Sequence, residues 1–204
     1  MYKGNKGFIL KFGDLAKTLS LEDWKTTSLE DLDSDTEWVA IVTDDAEVYL
    51  NEINAIVTKM KHPKTCFVID LHPCANYKHL QKLWDNYMMV DRESVEVLLS
   101  FIHHHLVNHS MISFTIQDFR VCSVPYPFVK AVSADIVKDA PIDPNAQAMC
   151  YGLCFEQACG LETSYVNAFA KTTDKIGEGK SVPWSIQYSS DNVIEAIFFY
   201  ERKF

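Results

Sequence analysis

No stretch of this chain approaches the roughly 18 consecutive apolar residues that a membrane-spanning helix needs. The basic opening, MYKGNKGFILKFGD, leads into an apolar run far too short for the core of a secretory signal. A cytoplasmic protein without a membrane partner is therefore expected. There is no G-x-G-x-x-G, no Walker loop and no G-x-S-x-G, so nucleotide binding and α/β-hydrolase chemistry have no motif behind them. No C-x-x-C pair occurs either. Six cysteines in 204 residues, without a secretory signal, read as thiols and not as a disulfide framework. Positive charge is scarce: 19 Lys and Arg against 28 Asp and Glu leave a net charge of −9, the wrong sign for a general nucleic-acid partner. Internal repeats and low-complexity tracts are absent as well.

What is present fits a single domain spanning 1–204, long enough to bury its own core. Gly7–Phe12 has the length and pattern of a strand. Glu37–Thr43 and Thr65–Leu71 are near-continuous apolar runs, the pattern of strands covered on both faces. Between them Val48, Ile53, Ile56, Val57 and Met60 recur at helical spacing, so the three form a βαβ unit with parallel strands. Further helices are expected over Tyr77–Met89 and Arg92–Ser110. In the second, Val95, Leu98, Leu99, Ile102 and Leu106 share one stripe. Met111–Val121 and Val124–Val137, rich in β-branched and aromatic residues, read as strands with an irregular middle at Pro125 and Pro127. The acidic segment 22–37 reads as a solvated loop, with docking of a basic partner as the sharper alternative.

The stretch Asp143–Gly160 organises this reading. Asp143 suits a helix cap, Pro144 a first turn and Gly160 a left-handed stop. No side of the projected helix is polar, so a helix buried in the fold or at a subunit contact is expected. The chain then reads as a C-terminal antiparallel meander over Tyr165–Thr172, Val182–Tyr188 and Val193–Arg202. The expected fold class is α/β with an α+β tendency: a mixed sheet with an N-terminal parallel βαβ unit, a C-terminal antiparallel meander and a buried central helix.

Three sets of side chains could carry chemistry. Asp44, Asp45, Asp70 and His72 follow the ends of two parallel strands, where ligands gather in open α/β sheets. These are hard donors suited to Mg²⁺ or Mn²⁺, although Asp44 or Asp45 could instead cap the following helix. His105 and His109 share a helix face within HHHLVNH, but Leu106 stands where a zincin needs Glu, and helical geometry turns His104 away. Glu156, inside the apolar stretch, must find a donor or face an opening; Glu162 and Tyr165 are placed to share that opening. Cys150, Cys154 and Cys159 cannot all reach one metal from a single helix and read as small buried hydrophobes.

The close of the chain, Lys175-Ile-Gly-Glu-Gly before Trp184-Ser-Ile-Gln-Tyr188, resembles the end of the vinyl-4-reductase type of small-molecule-binding domain. It lacks the cysteines that usually flank that glycine turn, and no family is assigned on it. Two functions follow as expectations. The first is a non-catalytic module that binds a small ligand or associates with itself as a homo-oligomer. The second is a divalent-metal-dependent hydrolase or phosphoryl-transfer enzyme working at the ends of the parallel strands.

Overall fold

The computed structural model describes residues 7–20, 24–32, 36–60, 65–72, 74–107, 114–136, 140–156, 163–174, 182–189 and 192–202. The strands are β1 (Gly7–Phe12), β2 (Lys25–Thr26), β3 (Trp38–Thr43), β4 (Cys66–Asp70), β5 (Tyr87–Val90), β6 (Phe128–Asp135), β7 (Ala148–Glu156), β8 (Trp184–Ser189) and β9 (Val193–Tyr200). The helices are α1 (Asp14–Lys17), α2 (Leu50–Lys59), α3 (Tyr77–Leu83), α4 (Arg92–Ile102), α5 (Ile116–Ser123) and α6 (Thr163–Asp174). α4 runs on into a π-helical turn over His103–Val107.

All nine strands join one sheet in the order β2-β1-β3-β4-β5-β6-β9-β7-β8. β1 to β6 are parallel, and the βαβ unit of β3, α2 and β4 sits in their middle as expected. The antiparallel part centres on β9, which lies between β6 and β7 and runs against both. β8 then pairs parallel to β7 at the far edge, so α6 serves as a second crossover and the last three strands are not laid down in sequence order.

The sheet is covered on both faces. Ile53, Ile56, Leu80 and Phe169 bring α2, α3 and α6 onto one face. Ala16, Val95, Leu98, Ile102 and Phe119 bring α1, α4 and α5 onto the other. Five cysteines (Cys66, Cys74, Cys122, Cys150 and Cys154) are free thiols, and no described helix is long and apolar enough to cross a membrane.

The expected central helix is a strand. Met149, Tyr151, Leu153 and Phe155 enter one core, while Ala148 and Cys150 enter the other. This is the period of two that a strand imposes, with large residues facing one way and small ones the other. Because both faces are buried, no polar alternation marks it. Asp143 and Pro144 belong to a preceding turn, in which the Asp143 carboxylate accepts from Asn145 N–H at 2.8 Å.

Three other expectations are corrected. Tyr77–Met89 divides into α3 and the buried strand β5. The segment around 116–123 is helix α5, started by a reciprocal capping pair of Thr115 and Asp118. Tyr165–Thr172 lies inside α6, whose Phe169 packs on the core.

Candidate functional site

The rim at the carboxyl ends of β3 and β4 forms as expected, with Thr43 and Asp70 in register. The acceptors there are directed at local donors. Asp44 accepts from the N–H groups of Leu15 and Ala16 at 2.9 and 2.7 Å and so caps α1 from outside. Gly13 makes this possible: its φ is +95°, and a Cβ there would lie 2.3 Å from the Asp44 carboxylate. Asp45 accepts from Glu47 N–H at 2.9 Å and Val48 N–H at 3.3 Å. Asp70 is fully buried; it accepts from Tyr87 O–H at 2.8 Å and from His72 N–H at 3.0 Å, and the His72 side chain is exposed.

Burial raises the Asp70 carboxyl to about 6, against the opposing bonds from Tyr87 and His72. A carboxyl raised in the folded state stabilises the fold most below its unfolded value near 3.8, and that contribution is lost as pH rises through 6. The swing is roughly 3 kcal/mol by proton linkage. Urea unfolding followed between pH 4 and 7.5 should show wild-type stability falling relative to Asp70→Asn, in which this limb disappears.

A second cluster lies on the other half of the sheet. Glu195 of β9, Gly152 of β7 and Ser185 of β8 are register partners across three adjacent strands. Glu195 is a lone charge in a strand that is otherwise apolar, VIEAIFFY, and is only 3% exposed. Above this row sits the imidazole of His105, itself 1% exposed. Its Nδ1 is 2.6 Å from Ser185 Oγ and its Nε2 is 3.3 Å from Glu195 Oε2. The ring occupies the place of a missing side chain: a Cβ on Gly152 would lie 2.1 Å from His105 Nε2.

Two residues further along β7, Cys154 Sγ lies 3.5 Å from His105 Nε2 and 3.9 Å from His104 Nδ1. His104 Nδ1 is in turn 3.7 Å from Glu195 Oε2 and 3.3 Å from Ser100 Oγ. The Ser100 hydroxyl donates to Glu195 Oε1 at 2.5 Å.

Neighbouring histidines on an α-helix point about 100° apart. The π turn over 103–107 widens the spiral, and here it brings His104 and His105 to the same carboxylate and thiol. Burial pushes the His105 imidazole down, with Glu195 pulling the other way, so the ring is neutral at pH 7. Burial raises the Glu195 carboxyl, but contacts with His104, His105 and Ser100 together outweigh it and hold the group at about 2.

The second oxygen of this ionised, buried group is held less well: Glu195 Oε2 has two imidazoles within 4 Å but no well-formed hydrogen bond. Among the described residues, the group of three or more His, Cys, Asp or Glu whose ligand atoms converge, all within 4.8 Å of one another, is His104, Cys154 and Glu195.

Of the residues anticipated from sequence, the structure brings His105 into this cluster and leaves Asp44, Asp45, Asp70 and His72 on the other rim. His109 and Glu162, and the side chains of Glu156 and Tyr165, lie outside the described residues. Sequence spacing makes Cys154 a small hydrophobe and turns His104 away. It gives no role to Glu195, Ser100, Ser185 and Gly152, although a lone carboxylate in an apolar strand and a glycine inside another are both readable signals.

No family model matches this chain, and no curated protein does. Solved structures with a similar arrangement include FtsZ of M. jannaschii, at 10% identity and a TM-score of 0.47, covering 81% of this chain and 66% of that one. TubZ of Bacillus thuringiensis serovar israelensis, solved as GDP-form protofilaments, matches at 12% identity and 0.36, covering 79% and 53%. CetZ from Methanosaeta thermophila matches at 9% and 0.37, covering 82% and 53%. This chain thus spans about two thirds of the FtsZ chain and about half of the other two. At these scores no ligand, activity or assembly is carried over to it.

Proposed function

We propose that this protein binds one metal ion of the zinc class through His104 Nδ1, Cys154 Sγ and Glu195 Oε2. It is then a non-catalytic binding module whose small ligand is the ion. The observation that carries the reading is the convergence of an imidazole, a thiol and Glu195 Oε2, a buried carboxylate oxygen without a well-formed hydrogen bond. A cation among the three would neutralise the buried carboxylate more fully than imidazoles at 3.3 and 3.7 Å do.

Spacing supports the same reading. Tetrahedral zinc, with bonds of about 2.0–2.3 Å, holds its ligand atoms about 3.3–3.8 Å apart. The sulfur and the carboxylate oxygen stand 3.9 and 3.7 Å from His104 Nδ1, close to that, and within 4.8 Å of each other. A thiolate in the donor set favours zinc over Mg²⁺ or Mn²⁺, which prefer oxygen. The His104 side chain is 20% exposed and gives the ion a way in.

A Cys–His nucleophile is the competing use of these groups. Cys154 is 0% exposed, so its sulfur has no face for a substrate, and the thiol is better used as a ligand. Calorimetric titration of chelator-treated protein with zinc should give one site per chain. Because the thiol must lose its proton, affinity should fall as the pH is lowered. Cys154→Ser should weaken binding by at least about 100-fold, more than loss of an outer-shell partner usually does. Equal affinity in wild type and Cys154→Ser would refute the assignment.

A further inference from the structure

We infer that His105 supplies the fourth ligand, so that the ion is enclosed by protein and keeps no open position for a substrate. This rests on the metal-binding reading above and extends it from an ion class to a coordination state.

Distance comes first. His105 Nε2 stands 3.5 Å from Cys154 Sγ and 3.3 Å from Glu195 Oε2, both close to the edge length of a zinc tetrahedron, about 3.3–3.8 Å. It lies outside the set of atoms that already converge within 4.8 Å, so the part-exposed His104 ring closes on it as the ion binds. The imidazoles of His104 and His105, 6.2 Å apart at their centroids and 86° to one another, converge on the thiol and carboxylate from two sides.

The second observation is the other ring nitrogen. Metal-ligating histidines nearly always have theirs tied to a polar partner that fixes tautomer and orientation. His105 Nδ1 has Ser185 Oγ at 2.6 Å. Without the ion, the Ser185 hydroxyl donates to Nδ1 and the ring proton sits on Nε2, toward Glu195. On coordination the ring proton moves to Nδ1, the Ser185 hydroxyl rotates to accept it, and the Nε2 lone pair faces the metal. The Cys154 thiol releases its proton to solvent, so each ion displaces one proton from the thiol and none from His105.

The third is room. Gly152 gives the ring a bare backbone to lie on, and at 1% exposure no solvent reaches it from that side. A site whose fourth position belonged to water would need an opening there.

Cobalt(II) in place of zinc makes the coordination visible. Wild type should show the intense visible bands of four-coordinate cobalt with a sulfur-to-metal charge-transfer band. Its proton NMR spectrum should contain one far-shifted imidazole N–H protected from exchange, the Nδ1–H held by Ser185. His105→Gln should bind cobalt at least about 100-fold more weakly, more than loss of an outer-shell partner usually costs, with weakened visible bands as water enters, and should lack the protected resonance. Ser185→Ala should keep the bands and lose the protection. Identical visible spectra in wild type and His105→Gln would overturn the fourth-ligand assignment while leaving the three-ligand site standing. So would bound cobalt without a protected N–H in wild type, a readout that decides the matter even if His105→Gln fails to fold. A folded wild type that binds no cobalt would refute the parent reading and this inference together.

Discussion

Gly152→Ala is expected to destabilise the protein by roughly 3–5 kcal/mol, an exceptional cost for adding one methyl group. The new Cβ would stand 2.1–2.7 Å from three atoms of the His105 ring, Nε2, Cδ2 and Cε1, so ring or strand must move. Moving the strand breaks pairing on two sides, because β7 lies between β9 and β8. Moving the ring takes it from Ser185 and strips the buried Glu195 carboxylate of one of its two imidazole neighbours, which adds the cost of burying polar groups without partners. Urea unfolding followed by circular dichroism measures the loss. A double-mutant cycle isolates its cause: with His105→Ala already present the space is free, and Gly152→Ala should then cost much less, giving a coupling of at least about 2 kcal/mol. A single-mutant cost under about 1 kcal/mol would mean that the imidazole does not lie on the strand.

Zinc should raise the thermal midpoint strongly. An ion that binds only the folded chain, supplied at about 1,000 times its dissociation constant, adds about 4 kcal/mol. For a chain of this length each kcal/mol is worth about 2–4 °C, so a rise of roughly 8–16 °C is expected. Magnesium at the same concentration should do far less, since it lacks affinity for thiolate and imidazole. Glu195→Gln should abolish most of the zinc effect by removing the one full negative charge in the donor set that is already present before the ion arrives. Differential scanning fluorimetry with the two salts, on wild type and variant, makes the comparison.

The parallel half of the fold was legible in the sequence because its strands are apolar runs of strand length separated by one clean helical stripe. Glu37–Thr43 and Thr65–Leu71 could be paired on that basis alone. β7 was not legible, because a strand buried on both faces shows no polar alternation. Its alternation is one of size: Met149, Tyr151, Leu153 and Phe155 against Ala148, Cys150, Gly152 and Cys154. A search for side-chain volume at period two would have found it, where a search for polarity finds a helix with no wet side.

The site was missed for a related reason. With Cys150 and Cys154 assigned to a helix, they sat about 40° apart around its axis; on a strand they share a face, and Cys154 joins Gly152 on it. His104 was turned away by assuming α-helical angles through a segment that is a π turn. Glu195 comes from the far end of the chain and meets these residues only because β9 inserts between β6 and β7, a topology that no local pattern announces. The Asp44 and Asp45 carboxylates bond local backbone donors, but not as the expected cap of the following helix: Asp44 caps α1, Asp45 closes a turn at Glu47 and Val48, and α2 begins only at Leu50.

The most direct test is a crystal of the zinc-loaded protein with data collected on both sides of the zinc absorption edge. We expect one strong anomalous peak per chain, within about 2.0–2.3 Å of Cys154 Sγ and of nitrogen or oxygen atoms of His104, His105 and Glu195. A peak among Asp44, Asp45 and Asp70 instead, or no peak in a well-ordered chain, would contradict the account.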